Sequence, residues 1–218
     1  MTEEKSAGLL LQTIPYLGSG RILKVFTGQA GLISLFTKKK NLGSMASPFC
    51  IGEWVYKKGQ RDLYSLKDAS LLDPLLGLRQ SFAAISAAGS IAQDILKSQM
   101  PDEAAAPLYE LACSYFKKLS EFTQPEILST SFRLKLLLHE GLLSLKPHCT
   151  SCSEKALHLS QGESFCPNHA SFKGVPFSEG EWGQLHLLAF ASKFSLLREL
   201  RIKPSLIEKI SFLSEDKF

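Results

Sequence analysis

The sequence predicts an α+β multidomain protein, with a small N-terminal β-barrel followed by a helical C-terminal domain that carries a cysteine-rich insertion. Three observations predict this class. Short stretches of β-forming residues separated by turns fill residues 1–70. From about residue 73, apolar residues recur at steps of three and four, which is the period of a helix. Two close pairs of Cys and His residues then interrupt the helical pattern.

Five short strands are predicted in the N-terminal region, and no long helix is predicted among them. The first strand is apolar and stops at Pro15, and a turn at 27–31 separates the second from the third. Five strands of this kind favour a closed barrel of the OB-fold type, with an SH3-like barrel as the alternative. The strands are predicted at residues 7–14, 21–26, 32–37, 49–56 and 62–66.

The helical region begins with two amphipathic stripes that Pro101 separates. A third helix contains Phe132, Leu136 and Leu143, and Pro147 ends it. Ser178 with Glu181 forms a capping box that opens a fourth helix. Two last helices, 195–202 and 205–213, are divided by Pro204. The first stripe contains Leu78, Phe82, Ile85, Gly89, Ala92 and Leu96, the second contains Leu108, Leu111, Tyr115 and Leu119, and the fourth helix carries Trp182, Leu185, Leu188 and Ala189.

Four potential metal ligands fall in two pairs, Cys149-x2-Cys152 and Cys166-x2-His169, with 13 residues between the pairs. Two such pairs can complete the tetrahedron that Zn²⁺ favours. Four protein ligands leave no position for a reactive water, so we predict one structural Zn²⁺ per chain. His148 or His158 could replace His169 as the fourth ligand, and ordinary buried thiols with a surface His are the alternative.

Positive charge is concentrated in the N-terminal region. Of the net charge of +4, residues 1–70 contribute +5 (ten Lys and Arg, five Asp and Glu), and residues 71–218 contribute −1 (fifteen and sixteen). This asymmetry points to an anionic partner for the barrel. Basic side chains on a small barrel can follow a phosphate backbone, although solubilising surface charge is the alternative. The predicted DNA-binding residues are Arg21, Lys24, Lys38, Lys39, Lys40, Lys57, Lys58 and Arg61.

Catalytic motifs are absent from the sequence. There is no phosphate-binding loop of the G-x-x-x-x-G-K-[ST] type, no nucleophile elbow and no H-E-x-x-H helix. A zinc deaminase needs H-x-E, whereas His139 and Glu140 are adjacent. We therefore predict no catalytic residues and a protein that is not an enzyme, with an undetected nuclease site as the least favoured alternative.

Three stretches resemble the bacterial recombination mediator family RecO. The first contains residues 8–13, 19–27 and 31–33, which are similar to the family's first strands and turn. The second, residues 132–141, is similar to its central helix, and the third, residues 147–152 with 166–169, is similar to its metal knuckle. The resemblance covers nearly the whole chain in order.

This resemblance implies an N-terminal OB-fold at residues 1–70 and a helical domain at 71–218 with a zinc-binding segment at 149–169. It also implies binding of single- and double-stranded DNA and annealing of complementary strands. With RecR, such proteins help to load RecA onto DNA coated by single-strand binding protein, whose acidic tail they contact. Arg133 lies in the matching helix and is the predicted contact for that tail, with an internal ion pair to a Glu as the alternative.

This chain departs from the family in two places. Residues 36–41 keep positive charge where the family commonly has a basic, glycine-containing stretch, and His169 stands where the fourth ligand is often Cys. An adaptor that is held together by zinc and has no DNA affinity is the alternative function. The acidic N-terminus lacks the features of a secretory signal, and the cysteine usage suggests a reducing compartment, so we predict a cytoplasmic, nucleoid-associated protein without a membrane partner.

Overall fold

The structure is a computed structural model that describes residues 3–38, 42–59 and 63–215. Contacts along the chain divide it into two compact units, residues 1–125 and 126–218. The helices that follow the barrel, as far as residue 125, therefore belong to the first unit by their contacts. The division at residue 70 follows a different criterion, the change from strands to helices, and stays a prediction.

The N-terminal strands form a closed five-stranded barrel, as predicted, and the structure gives their order in the sheet as β1-β2-β3-β5-β4. All neighbours are antiparallel except β3 and β5, which run parallel and pair at only two positions. β1 is long enough to pair with β4 through its first half and with β2 through its second half, which closes the sheet. This is an OB-like barrel. Its strands are β1 (Glu3–Tyr16), β2 (Gly20–Thr27), β3 (Gly31–Thr37), β4 (Ile51–Lys57) and β5 (Tyr64–Asp73).

Alternating side chains fill the barrel, as the two-residue period of a strand requires. Trp54 is fully buried, and its indole Nε1 donates a hydrogen bond of 3.0 Å to the carbonyl of Gly8 on the neighbouring strand. The Tyr64 hydroxyl donates 2.9 Å to the carboxylate of Asp102. Polar tips of large core rings are thereby satisfied while the rings themselves exclude water. The other members of this core include Leu10, Leu23, Val25, Ile33, Leu35 and Tyr56.

Helix α1 (Phe82–Ser98) buries the predicted stripe only in part: Ala92 is buried, as is Leu78 in the 3₁₀ turn before the helix. Phe82, assigned to the core stripe, is 87% exposed, and Ile85 is 37% exposed. The buried face is built mainly from alanines together with Ile91 and Ile95. The prediction was therefore wrong at the two large apolar residues Phe82 and Ile85. The stripe of α2 (Ala106–Lys118) was correct at Leu108, Tyr115 and, in the 3₁₀ turn that follows, Leu119.

The second unit combines helices with one small sheet. α3 ends at His139, earlier than predicted, because Gly141 adopts a positive φ of 69° and Leu143 lies outside the helix. The predicted capping box is confirmed: Ser178 Oγ accepts from the Glu181 amide, and Glu181 accepts from the Ser178 amide. None of the helices in the described parts of the chain is long and apolar enough to cross a membrane. The elements are α3 (Glu126–His139), β6 (His158–Ser160), β7 (Glu163–Phe165), β8 (Val175–Pro176), α4 (Glu179–Phe190), α5 (Phe194–Arg198) and α6 (Pro204–Glu215).

Candidate metal centre and nucleic-acid interface

The structure brings the four predicted metal ligands together. One ligand atom from each of Cys149, Cys152, Cys166 and His169 lies within 4.8 Å of the other three. His169 Nδ1 lies 3.3 Å from Cys166 Sγ and 3.7 Å from Cys149 Sγ. The sulfurs of Cys152 and Cys166 are 3.8 Å apart. Thirteen residues separate the two pairs in the chain, so folding brings the pairs together.

These distances fit a tetrahedral zinc site. With Zn–S bonds of about 2.3 Å, two sulfurs of a regular tetrahedron stand roughly 3.8 Å apart, and a sulfur and a nitrogen stand slightly closer. The separation of Cys152 and Cys166 and both separations to His169 lie near these values. Three thiols and one imidazole are also a common donor set for structural Zn²⁺. The residues present therefore fit the ion.

Tight turns hold both ligand pairs. In the first, the amide of Cys149 donates to the carbonyl of Glu154, which closes a loop around Cys152. In the second, the amides of His169 and Ala170 both donate to the carbonyl of Cys166. Between the pairs, β6 and β7 form a hairpin whose two turn residues, Gln161 and Gly162, have φ values of 52° and 89°. The hairpin returns the chain so that the two turns meet.

The electrostatic surroundings of Cys149 and Cys166 are unequal. Burial works to raise the pKa of the Cys149 thiol, but hydrogen bonds from the backbone at Cys166, Ser151 and Cys152 outweigh it and lower that pKa to about 6. At Cys166, burial raises the pKa to about 11. A cation at the centre of the cluster would favour the thiolate at every cysteine, because metal ligation requires deprotonated sulfur.

The two alternative histidines lie outside the cluster. The Nδ1 atom of His148 is 3.1 Å from the carbonyl oxygen of Ser153, so the ring contacts its own loop. His158 lies on β6, where it pairs with Phe165 and Pro176. His169 is the histidine that the fold places beside the three thiols.

Ser164 is a supporting residue that the sequence did not reveal. It is fully buried, donates from its hydroxyl to the carbonyl of Ser144 and accepts from the amide of Lys146. Its own carbonyl accepts from the amide and the hydroxyl of Thr150. Ser164 thus links the hairpin to the segment that carries the first ligand pair. A buried serine in a short strand has no distinctive spacing, so only the contacts identify it.

On the barrel, one row of partly exposed side chains crosses all five strands. Ile14 pairs with Ile22, Ile22 with Phe36, Phe36 with Ser65 and Ser65 with Lys57. We call these five residues the outer row. The residues on either side of them in each strand are mostly buried or lie at the barrel ends. Lys24 lies two residues from Ile22 on the same face, and its Nζ donates 2.8 Å to Ser34 Oγ. Lys57, the basic member of the outer row, and the adjoining Lys24 therefore lie on one face of the barrel.

The predicted DNA-binding residues are distributed along and beside this surface. Lys57 is a member of the outer row, and Lys24 lies one step away on β2. Arg21 and Lys38 are exposed near the end of the barrel, where Arg21 pairs with Thr37, and Lys58 is exposed after β4. Lys39, Lys40 and Arg61 lie outside the described residues. The contribution of each to DNA binding stays a prediction.

Arg133, the predicted contact for an acidic tail, is partly buried on α3. Its Nη1 donates 2.9 Å to the hydroxyl of Ser211 on α6. The guanidinium thus joins two helices of the second unit. Its role toward a partner stays a prediction.

Together, these features define a class of protein that combines an OB-like barrel with a helical unit whose Cys3His cluster can hold a metal ion. Comparisons with known proteins agree with this class. The family model "Recombination protein O N terminal" matches residues 1–75. The DNA repair protein RecO of Chlamydia pneumoniae is 26% identical over 215 residues, which are 94% of this chain and 85% of that protein.

Further relatives extend the match beyond one organism. The DNA repair protein RecO of Chlamydia trachomatis serovar L2 is 29% identical over 201 residues, 87% of this chain and 82% of that protein. That of Bacillus subtilis strain 168 is 23% identical over 180 residues, covering 79% and 70%. The matches run across both units of the chain. The chain is thus similar to RecO proteins over most of its length.

Proposed function

We propose that this chain is a DNA-binding mediator of recombination in DNA repair and that it is not an enzyme. It anneals complementary strands and, with RecR, assists RecA loading on DNA coated by single-strand binding protein. The observation that carries the proposal is the outer row, on which Lys57 and the adjoining Lys24 lie on one continuous face of an OB-like barrel. The names of the RecO relatives support the repair role.

Annealing follows from charge neutralisation. Two complementary strands repel each other through their phosphates, and cations on a protein surface reduce that repulsion by displacing condensed counterions. Lys24, Lys57 and the exposed Lys38 supply this charge from three different strands or their ends. The surface needs no reacting group, because pairing of bases is spontaneous once the strands approach.

The salt dependence of DNA affinity tests the role of this surface. We expect the triple variant Lys24→Gln, Lys38→Gln, Lys57→Gln to bind single-stranded DNA more weakly than the unaltered protein. The slope of log affinity against log salt should fall by about 2, because each lost phosphate contact removes roughly 0.7. Fluorescence anisotropy with an end-labelled oligonucleotide measures both quantities across a salt series.

A matched control separates surface position from net charge. Lys97, Lys146 and Lys193 are exposed lysines that are not part of the barrel strands, and their triple Gln variant has the same net charge as the test variant. It should keep the affinity and the slope of the unaltered protein. An equal loss in both variants would assign the binding to overall charge, and no loss in the test variant would remove the barrel surface from the proposal.

Strand annealing is the second test. Labelled complementary oligonucleotides are mixed with the protein, with and without single-strand binding protein, and duplex formation is followed over time. We expect acceleration in both conditions, and a smaller acceleration for the triple lysine variant. Direct binding to RecR and to single-strand binding protein, with Arg133→Ala as the test variant, examines the partner contacts.

The alternative is an adaptor whose zinc-bearing unit binds proteins while the barrel has no DNA affinity. Partner binding without measurable DNA binding at low salt would favour it. In either function we propose that Zn²⁺ is structural, because three cysteines and one histidine supply all four ligands.

A further inference from the structure

The outer face of the barrel carries two aromatic rings as well as positive charge. Tyr16, at the end of β1, is 41% exposed, and Phe36 in the outer row is partly exposed. Their ring centroids are 5.9 Å apart with an interplanar angle of 81°, an edge-to-face pair. Such a pair uses one edge of one ring and one face of the other, so further ring surface stays open. In contrast, the large aromatic rings of β4 and β5, which are Trp54, Tyr56 and Tyr64, are all buried.

Gly20 makes this pair possible. It lies opposite Tyr16 in the ladder between β1 and β2. A Cβ atom at Gly20 would lie 2.9 Å from Cε2 of Phe36, and it would also overlap the carbonyl oxygen of Tyr16. The missing side chain therefore leaves the space that the Phe36 ring occupies beside Tyr16. The two rings are held in place by the backbone and do not depend on a mobile loop.

The surroundings of the pair suit a nucleotide. The strand segments 12–16, 20–24 and 34–38 contain three basic residues, Arg21, Lys24 and Lys38, and no Asp or Glu. A depression of about 380 Å³ adjoins Phe36 and Lys38 and is also lined by Ser65. A base on the rings would thus have cations on both sides of it for the flanking phosphates, which is how single-strand binding surfaces combine stacking with charge.

We propose that Tyr16 and Phe36 form a base-stacking platform that gives the barrel a preference for single-stranded DNA over duplex. This inference rests on the proposed DNA-binding function. It adds that the rings contact the bases of the bound strand. Unpaired bases offer a free π-face to the rings, whereas paired bases in a duplex are stacked on one another and are closed to them. The lysines bind the phosphates of single-stranded and duplex DNA alike, whereas the rings contact only unpaired bases.

The test compares two ligands of equal backbone charge, an oligothymidylate and an abasic oligomer of the same length and end label. The unaltered protein should bind the oligothymidylate more tightly. Tyr16→Leu keeps an apolar side chain but removes the ring, and it should lose about 10-fold in affinity for oligothymidylate. Its affinity for the abasic oligomer and for a duplex should stay within about 2-fold of the unaltered protein, because its phosphate contacts are intact.

Three controls make the result specific. Tyr16→Phe keeps the ring and should keep the affinity, and Phe82→Leu removes an exposed ring elsewhere in the same unit and should have no effect. In a Trp182→Phe background, emission from Trp54 in the barrel core reports whether each variant is folded. Phe36→Leu is the second test variant, and it decides the question if Tyr16→Leu does not fold.

The outcomes separate this inference from the function on which it rests. Equal, salt-sensitive binding of both oligomers by the unaltered protein would overturn the stacking platform and leave the proposed function standing. Unchanged oligothymidylate affinity in folded Tyr16→Leu and Phe36→Leu would also overturn it. No DNA binding at low salt would overturn both. Quenching of a 2-aminopurine base in the oligomer by the unaltered protein, reduced in Tyr16→Leu, would support the platform directly.

Discussion

The barrel and the knuckle, residues 149–169, are stabilised in different ways. In the barrel, five strands share a core with fully buried large rings, and every strand has two neighbours in the sheet. The strands of the knuckle hairpin have three residues each, and few large apolar side chains lie between them. A segment this short cannot bury enough apolar surface to fix its own fold, so we expect metal ligation by the Cys3His cluster to supply what packing lacks. The comparison therefore predicts that the knuckle depends on a metal ion and that the barrel does not.

The largest expected effect is that of metal removal on the second unit. Purified protein should contain about one zinc per chain, and a strong chelator should unfold the knuckle, because structural zinc contributes on the order of 10 kcal/mol in small metal-dependent domains. The chain has two tryptophans, Trp54 in the barrel and Trp182 in the second unit, 5.8 Å from Phe177. In the single-tryptophan variant Trp182→Phe, chelation should therefore leave the emission of Trp54 unchanged. In Trp54→Phe, chelation should shift the emission of Trp182 to longer wavelength.

Cysteine variants refine this comparison. Cys152→Ser removes one ligand and should reproduce the effect of the chelator, whereas Cys113→Ser changes a cysteine outside the cluster and should not. Protein without bound zinc whose Trp182 emission is insensitive to chelator would show that the knuckle is stabilised by packing alone.

A smaller effect is expected from a change in the barrel core. Trp54→Ala leaves a large cavity and deletes the hydrogen bond to the Gly8 carbonyl, so the barrel should lose about 3–5 kcal/mol in its free energy of unfolding. Urea unfolding followed by far-UV circular dichroism measures this loss. Zinc content and Trp182 emission should not change if the barrel and the knuckle have separate sources of stability. Trp54→Phe, which keeps an aromatic ring, should cost less.

The smallest expected effect is a pH-dependent ion pair in the second unit. Hydrogen bonds from the Ser178 amide and from Lys209 hold the pKa of Glu181 below its ordinary value. Because the folded pKa is depressed, this stabilisation is present above the unfolded pKa of about 4.3 and is lost as the pH falls through the folded value. Glu181→Gln keeps a hydrogen-bonding side chain and should cost about 1 kcal/mol at pH 7.

Thermal unfolding monitored at Trp182 tests the pH dependence. The difference between Glu181→Gln and the unaltered protein should be nearly constant at pH 6 and above and should shrink as the pH falls below the unfolded pKa of about 4.3. Glu179→Gln changes a more exposed carboxylate of the same helix, paired with Lys155, and should give a smaller difference at every pH. A difference that is constant with pH would assign the role of Glu181 to packing.

Local patterns explain which predictions were correct. Strand alternation and turn residues located all five barrel strands, and the capping box located the start of α4. The prediction failed at β5, which runs to Asp73 although it was expected to stop at residue 66. Its last residues are largely exposed and lack an apolar alternation, and pairing with β4 holds them in the strand. Pairing with β4, the preceding strand, leaves no mark in the residues of β5 themselves.

By itself, the sequence determined the chemistry of this protein: four soft ligands in two pairs, a basic first third, and the order of strands and helices. These properties depend on residue type and short spacing, which are present in the chain before it folds. The tertiary structure alone decided which residues meet. It buried the alanine face of α1, placed Lys57 in one row with Phe36, and set Tyr16 against that ring across Gly20. Such neighbours come from strand register and packing between distant segments, and no local pattern encodes them.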